Sequence, residues 1–245
     1  GATIASTPPL GFNTWNHFGC SEISEQVLMD TADAFVRLGL DKVGYEYVNS
    51  DDCWMQATRP EGGAGPQVPN PQKFPNGIRP VADYIHSKGL KMGLYTARAD
   101  HTCDQFAGSC LHEQVDVQQW ANWTIDYMKD DSCGTCRPGP DGTVLDYTAM
   151  QDAIHKVGRP IVLTIEGQPN ITEVYTGCCG NARRVGHDIG PSWLSMTSLI
   201  DMGSGLWPYA HNGSLSTVGG AESGFWNDLD MLELGNGAFN ADDPQ

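Results

Sequence analysis

The chain predicts an α/β fold, a (β/α)8 TIM barrel cut before its last strand, and three observations predict it. Short apolar β-like runs alternate with segments whose apolar residues recur at helical spacing. That pattern argues for a parallel sheet covered by helices, with right-handed crossovers. The runs also stop abruptly in acids or aromatics, and polar groups gathered at successive strand ends are how such a barrel assembles a site. Finally, seven β-like runs occur, and the eighth is expected after Asp230-Met231, where only a short tail ending Ala241-Asp-Asp-Pro-Gln245 remains.

The first run, 10–15, reads Leu10-Gly-Phe-Asn-Thr-Trp15 and gives way to Asn16-His17-Phe18-Gly19-Cys20. Helical spacing over 24–38 predicts the first covering helix. The second run, 45–51, carries Tyr45-Glu-Tyr-Val-Asn-Ser50 into Asp51-Asp52-Cys53-Trp54. Residues 59–77 are rich in proline and glycine; periodic segments resume directly after them, so a long loop is expected rather than a linker. Helices over 78–88, 113–125 and 147–156 alternate with strands over 91–97, 126–131 and 160–166. The run 183–189 passes through Arg184-Val-Gly-His-Asp188 into Ile189-Gly190-Pro191, ahead of a helix over 191–200. Glycine-rich 209–224 reads as a loop beside the site, and 225–230 ends in Asp228-Leu-Asp230 before Met231. Nothing marks an internal boundary, so 1–245 is expected to be a single catalytic barrel domain, incomplete at its C-terminus.

Tyr127-Met-Lys-Asp-Asp-Ser-Cys133 carries the sharpest chemical signal. Side chains alternate along a strand, so Lys129 and Asp131 point one way and Asp130 the other. An ammonium beside Asp131 keeps that carboxylate ionised, which is what a covalent glycosidase nucleophile requires at a strand end. A surface strand end with a local ion pair is the other reading of the same residues.

Composition narrows the class. A formal charge of −16 opposes binding to nucleic acid, whose phosphates it would repel. No run of about 18 apolar residues exists, so no membrane helix is expected, and no basic-then-apolar leader opens the chain. The eight cysteines do not have zinc spacing, because Cys133-Gly-Thr-Cys136 lacks a matching second pair. They point to disulfides in an oxidising compartment, secreted or lysosomal/vacuolar. Three sequons, at Asn122, Asn170 and Asn212, fit that location. No metal or cofactor is expected: no histidine pair at i, i+4 accompanies the acids, and His17, His101 and His187 are scattered structural or rim positions.

Gly11-Phe-Asn-Thr-Trp-Asn-His-Phe-Gly-Cys20, Tyr45-Glu-Tyr-Val-Asn-Ser-Asp-Asp-Cys-Trp54, Met128-Lys-Asp-Asp-Ser-Cys133 and Trp226-Asn-Asp-Leu-Asp-Met231 resemble the successive signatures of the melibiase-type α-galactosidases. That family also holds α-N-acetylgalactosaminidases and β-L-arabinopyranosidases. The resemblance runs in order from about residue 7 to 236. It implies a retaining exo-glycosidase that removes terminal α-D-galactosyl residues from an oligosaccharide or glycoconjugate by double displacement. The alternatives are the other two activities of the family, or an inactive sugar-binding fragment. Relatives often continue into a β-sandwich domain, which is expected to be absent here.

By the same resemblance Asp131 is the nucleophile and Asp188 the general acid/base. Arg184 contacts sugar hydroxyls, Asp51 and Asp52 read the hydroxyls that distinguish galactose, and Asp230 reads the one beside the anomeric carbon. Lys129 sits near the nucleophile, Tyr95 lines the pocket, Glu166 reads carbon two, and Trp15 gives an apolar platform. From the residues alone, Asp188 reads equally as a helix N-cap ahead of Pro191, one of Asp51 and Asp52 as a loop cap, and Trp15 as core. Implied disulfides are Cys20–Cys53 and Cys103–Cys133; Cys110, Cys136, Cys178 and Cys179 stay unassigned, with a vicinal bridge between the last two one option. The chain departs from the family where Asp130 replaces an aromatic and Ser132 an asparagine. Ala97 and Ala99 replace Asp and Gly, and Gly167 replaces the aromatic after Glu166.

Overall fold

The structure, a computed structural model, describes residues 4–139, 141–166, 179–218, 221–233 and 236. The elements run β1 (Leu10–Asn13), α1 (Trp15–Glu22), α2 (Glu25–Leu38), β2 (Tyr45–Asn49), α3 (Ile78–Ser87), β3 (Lys91–Ala97), α4 (Glu113–Asn122) and β4 (Tyr127–Asp131). They continue with α5 (Gly142–Val157), β5 (Val162–Ile165), β6 (Ala182–Arg184), α6 (Trp193–Ser204), β7 (His211–Val218) and β8 (Ala221–Asp228). Seven strands are parallel, in the order β1-β2-β3-β4-β5-β6-β8, and β7 lies antiparallel along β8. This is the curled sheet of a (β/α)8 barrel with helices outside.

Local sequence explains most boundaries. Helix α2 starts where Ser24 Oγ accepts the Val27 amide at 3.3 Å and stops at Gly39, whose φ of 73° few side chains tolerate. Gly11 lets β1 approach β2, because a Cβ there would overlap the Tyr47 carbonyl. Helix α5 begins five residues ahead of the expected 147, at Gly142. Its first turn is fixed from outside: the Asp146 carboxylate accepts the amides of Cys136 and Arg137 at 3.3 and 3.1 Å.

Two expectations change. The run 183–189 is strand only over Ala182–Arg184, so Asp188 stands on a loop. The expected loop at 209–224 contains β7 and the start of β8, and β8 has a partner on its outer edge rather than a bare one. The N-terminal segment reaches the same strand, with Gly224 N donating to the Ile4 carbonyl at 3.1 Å and Trp226 Nε1 to the Ala5 carbonyl at 2.7 Å.

The core lies between strands and helices. Leu28, Phe35, Val81, Ile85, Val117, Trp120, Met150 and Ile154 meet Val48, Met92, Leu94, Met128, Leu163 and Ile165, each burial contributing about 1.5–3 kcal/mol. Disulfides Cys20–Cys53, Cys103–Cys133 and Cys110–Cys136 tie loops together at the carboxyl ends of the strands. Cys179 is also disulfide-bonded; Cys178, Gly167 and the Asn170 sequon lie outside the described residues.

Strand β4 shows the alternation its sequence dictates: Met128 and Asp130 are buried toward the helices, while Tyr127, Lys129 and Asp131 face the concave side. Asp130 is fully buried, and neither carboxyl oxygen has a hydrogen-bond partner. Burial pushes this carboxyl well above the usual range, reinforced by Asp131, Glu113 and Asp146 and opposed by Arg98. A group raised on folding stabilises the fold below its unfolded value of about 4, and that contribution is lost as pH rises through the folded value. Asp130→Leu is therefore expected to stabilise the protein by about 1–3 kcal/mol near neutral pH, and by less in acid. Urea unfolding at the two pH values reads the difference; an equal gain at both would mean that folding does not raise the carboxyl.

Candidate active site

Parallel strands of a curled sheet end on one rim, so the residues at and just past their carboxyl ends become neighbours. Asp51 and Asp52 follow β2, Tyr95 lies in β3, Lys129 and Asp131 close β4, Glu166 follows β5, Arg184 ends β6, and Asp230 stands two residues past β8.

Contacts join these groups into one network. Lys129 Nζ donates to Asp51 Oδ2 at 3.0 Å and stands 3.7 Å from Glu166 Oε2. It also sits 5.1 Å from the centre of the Tyr95 ring. Arg184 bonds Glu166 at 2.7 Å, Asp188 at 3.0 Å and Asp230 at 2.8 Å. Asp131 is gripped separately: the Tyr95 hydroxyl donates to Oδ2 at 2.7 Å and the Ser132 amide to Oδ1 at 2.5 Å. The Cys103–Cys133 bridge lies alongside, with Cys133 Sγ 3.4 Å from the Tyr95 hydroxyl. The Asp52 amide donates to Asp51 Oδ1 at 2.9 Å, which completes the chain from Asp52 to Asp230.

Electrostatics follow from this packing. Burial alone would discharge Lys129, but Asp51, Glu166 and Asp131 outweigh it and raise its affinity for the proton. Burial pushes Asp52 up to about 6 against hydrogen bonds from Thr102 and the amides of Cys53 and Asp104. Burial likewise lifts Glu166 to about 8, with Lys129 and Arg184 pulling the other way. Asp188 lies lower than usual: burial would raise it, but the Arg184 bond prevails, and its side chain is 81% exposed.

Asp230 takes a left-handed φ of 70°, uncommon without glycine. The conformation is held by its neighbours: Asp228 Oδ1 accepts the Asp230 amide at 2.8 Å, and Asp230 Oδ1 accepts the Met231 amide at 2.9 Å. Asp230 Oδ2 also accepts the Ile189 amide at 2.9 Å, locking the loop that carries Asp188.

A cavity of about 740 Å³ opens beside the network, lined at the rim by Asn13, Asn16, Lys129, Glu166, Arg184 and Asp230. Two residues past β8 also line it: Glu233 accepts from Asn16, and Asn236 stands 3.1 Å from His17. Trp15 opens α1 and packs on the core; its backbone amide donates to Asn13 Oδ1 at 2.8 Å. Asn13 in turn donates to Asp51 Oδ2 at 2.7 Å. Its sequence signal is its position, at the end of the first strand and two residues before Trp15. Two groupings, Cys20-Cys53-Asp104 and Cys103-Asp131-Cys133, have metal-like spacing, but their sulfurs are spent in disulfides and offer no thiolate.

A family model described as Alpha galactosidase A matches residues 7–245. The chain is 40% identical over 240 residues to an alpha-galactosidase of Oryza sativa subsp. japonica, covering 97% of this chain and 53% of that protein. Alpha-galactosidase I from Mortierella vinacea superposes with a TM-score of 0.84 at 32% identity, over 96% of this chain and 62% of that one. The structure of alpha-galactosidase from Saccharomyces cerevisiae with raffinose gives 0.78 at 32% identity, over 95% and 54%. This chain spans about half the length of the curated relatives it matches.

Arg184 carries the heaviest electrostatic burden, since three carboxylates share one guanidinium that is 6% exposed. Removing one partner of a buried ion pair typically costs about 3–5 kcal/mol. Arg184→Met is expected to lower stability on that scale, and Arg184→Met/Glu166→Gln to recover part of the loss. A double-mutant cycle by urea unfolding measures the coupling; additive losses would mean that Glu166 does not depend on Arg184.

Proposed function

Because this chain belongs to the Alpha galactosidase A family, we propose that it serves a retaining exo-glycosidase acting on terminal α-D-galactosyl groups of oligosaccharides or glycoconjugates. The observation that carries this reading is the convergence of Asp131, Lys129 and Asp51 with Glu166, Arg184, Asp188 and Asp230 at one rim. Asp131 attacks the anomeric carbon while the glycosidic C–O bond breaks and Asp188 protonates the departing oxygen. Asp188 then removes a proton from water, which attacks the glycosyl-enzyme and frees Asp131.

The surroundings suit these roles. Tyr95 and the Ser132 amide occupy one lone pair on each Asp131 oxygen and orient the carboxylate. Asp188 begins ionised through Arg184. To act as an acid it must take up a proton, and the bridge is loose enough to yield because the carboxylate is largely exposed. Asp51, held by Asn13 and Lys129, keeps its second oxygen toward Asp52; together the two acids accept from adjacent hydroxyls. Three disulfides support an oxidising compartment as the working place.

Asp131→Asn is expected to abolish turnover of a chromogenic α-galactoside while sugar binding persists, since the hydroxyl-reading groups remain. Near-normal turnover would exclude Asp131 as nucleophile. Specificity is expected to turn on Glu166, whose carboxylate favours a free hydroxyl at carbon two and crowds an N-acetyl group. Glu166→Ser should cost the galactoside about tenfold or more in kcat/KM, equivalent to roughly 1–3 kcal/mol, and raise the relative rate on N-acetylgalactosaminides. Unchanged relative rates would mean that Glu166 does not read carbon two.

A further inference from the structure

Behind the rim, Arg98 occupies a position that the reaction scheme does not use. It is 8% exposed and follows β3, whose last residue, Ala97, pairs with Asp131. Its backbone amide donates to the Asp131 carbonyl at 3.0 Å. Its Nε donates to Ser132 Oγ at 3.0 Å. One residue thus grips the chain at Asp131 and again immediately after it.

The grip is anchored from the far side. Arg98 Nη1 bonds Asp146 Oδ2 at 2.8 Å, and the guanidinium lies over the Tyr147 ring at 5.8 Å. Asp146 is 1% exposed and is itself held by the Cys136 and Arg137 amides and by Arg137 Nη1 at 2.9 Å. A guanidinium stays charged at any working pH and donates in fixed directions, so the distance from α5 to Ser132 is set by a rigid group. Ser132, where the exit of β4 departs from the family's usual asparagine, is the residue that receives the Arg98 Nε–H.

We propose that Arg98 is a positioning residue for Asp131: by bonding the Asp131 carbonyl and the Ser132 hydroxyl, it fixes the turn that aims the Ser132 amide at the Asp131 carboxylate. The inference rests on the role of Asp131 proposed above. Arg98 touches no reacting atom and acts through Ser132, so it should govern the chemical step rather than sugar affinity.

Ser132→Ala removes the acceptor of Arg98 Nε and keeps the backbone amide. For this variant kcat on an α-galactoside is expected to fall about tenfold with KM within about twofold. Ser132→Thr, which restores a hydroxyl, should recover most of the loss, and Arg98→Lys should match Ser132→Ala. Crystal structures of the protein and its Ser132→Ala variant should show the Asp131 carboxylate turned from its single orientation. If Arg98→Lys does not fold, the Ser132 pair carries the test. A Ser132→Ala enzyme with unchanged kcat and an unmoved Asp131 overturns the proposal, as does a loss that Ser132→Thr shares equally. If the unmodified protein hydrolyses no glycoside, the functional reading fails, and the orientation of Asp131 in the two crystal structures alone decides the positioning role.

Discussion

Two buried cations hold the site together. Asp51, Glu166 and Asp230 converge, largely buried, on a rim where the exposed Asp188 joins them, and like charges with little water between them repel strongly. Lys129 and Arg184 offset that repulsion, Lys129 between Asp51 and Glu166, and Arg184 among Glu166, Asp188 and Asp230. Glu166 touches both cations and is the hinge of the network. Its burial and its two cations act on its proton in opposition.

That arrangement holds only if the loops stay where the strands deliver them. The loop after β2 is long, and a buried polar cluster pins it. Arg59 bonds both oxygens of Asp116 at 2.7 and 2.6 Å, and the Gln67 amide and Ser109 hydroxyl complete the carboxylate's shell. Disulfides do the rest. The bridges Cys20–Cys53, Cys103–Cys133 and Cys110–Cys136 close loops with sequence separations of 26 to 33 residues, each of which in the chain-entropy account contributes about 3–4 kcal/mol. Cys103–Cys133 lies against Tyr95 and Asp131, so the bridge that fastens two loops also bounds the candidate nucleophile.

Strand β4 serves both layers at once because its period is two. Asp131 faces the rim, where a hydroxyl and an amide stabilise a charge. Asp130 faces the helices, where nothing donates to it. Adjacent residues of one type thus meet different partners according to the side of the sheet they occupy.

Much of this was legible in the sequence because it rests on local periodicity. The alternation of strands and helices and the facing of Lys129 and Asp131 follow from repeat lengths of 3.6 and 2. What the sequence left open depends on groups far apart along the chain. Helix α5 starts early because Asp146 is capped by residues of a disulfide loop, and 211–218 pairs with β8 because a sheet edge is there to receive it. Asp188 leaves its strand early and is placed by Arg184 and Asp230. The Arg98–Ser132 bond, 34 residues apart in sequence, has no local pattern at all. Periodicity selects the face on which a side chain emerges; only packing of the whole barrel decides which distant charge or donor stands opposite it.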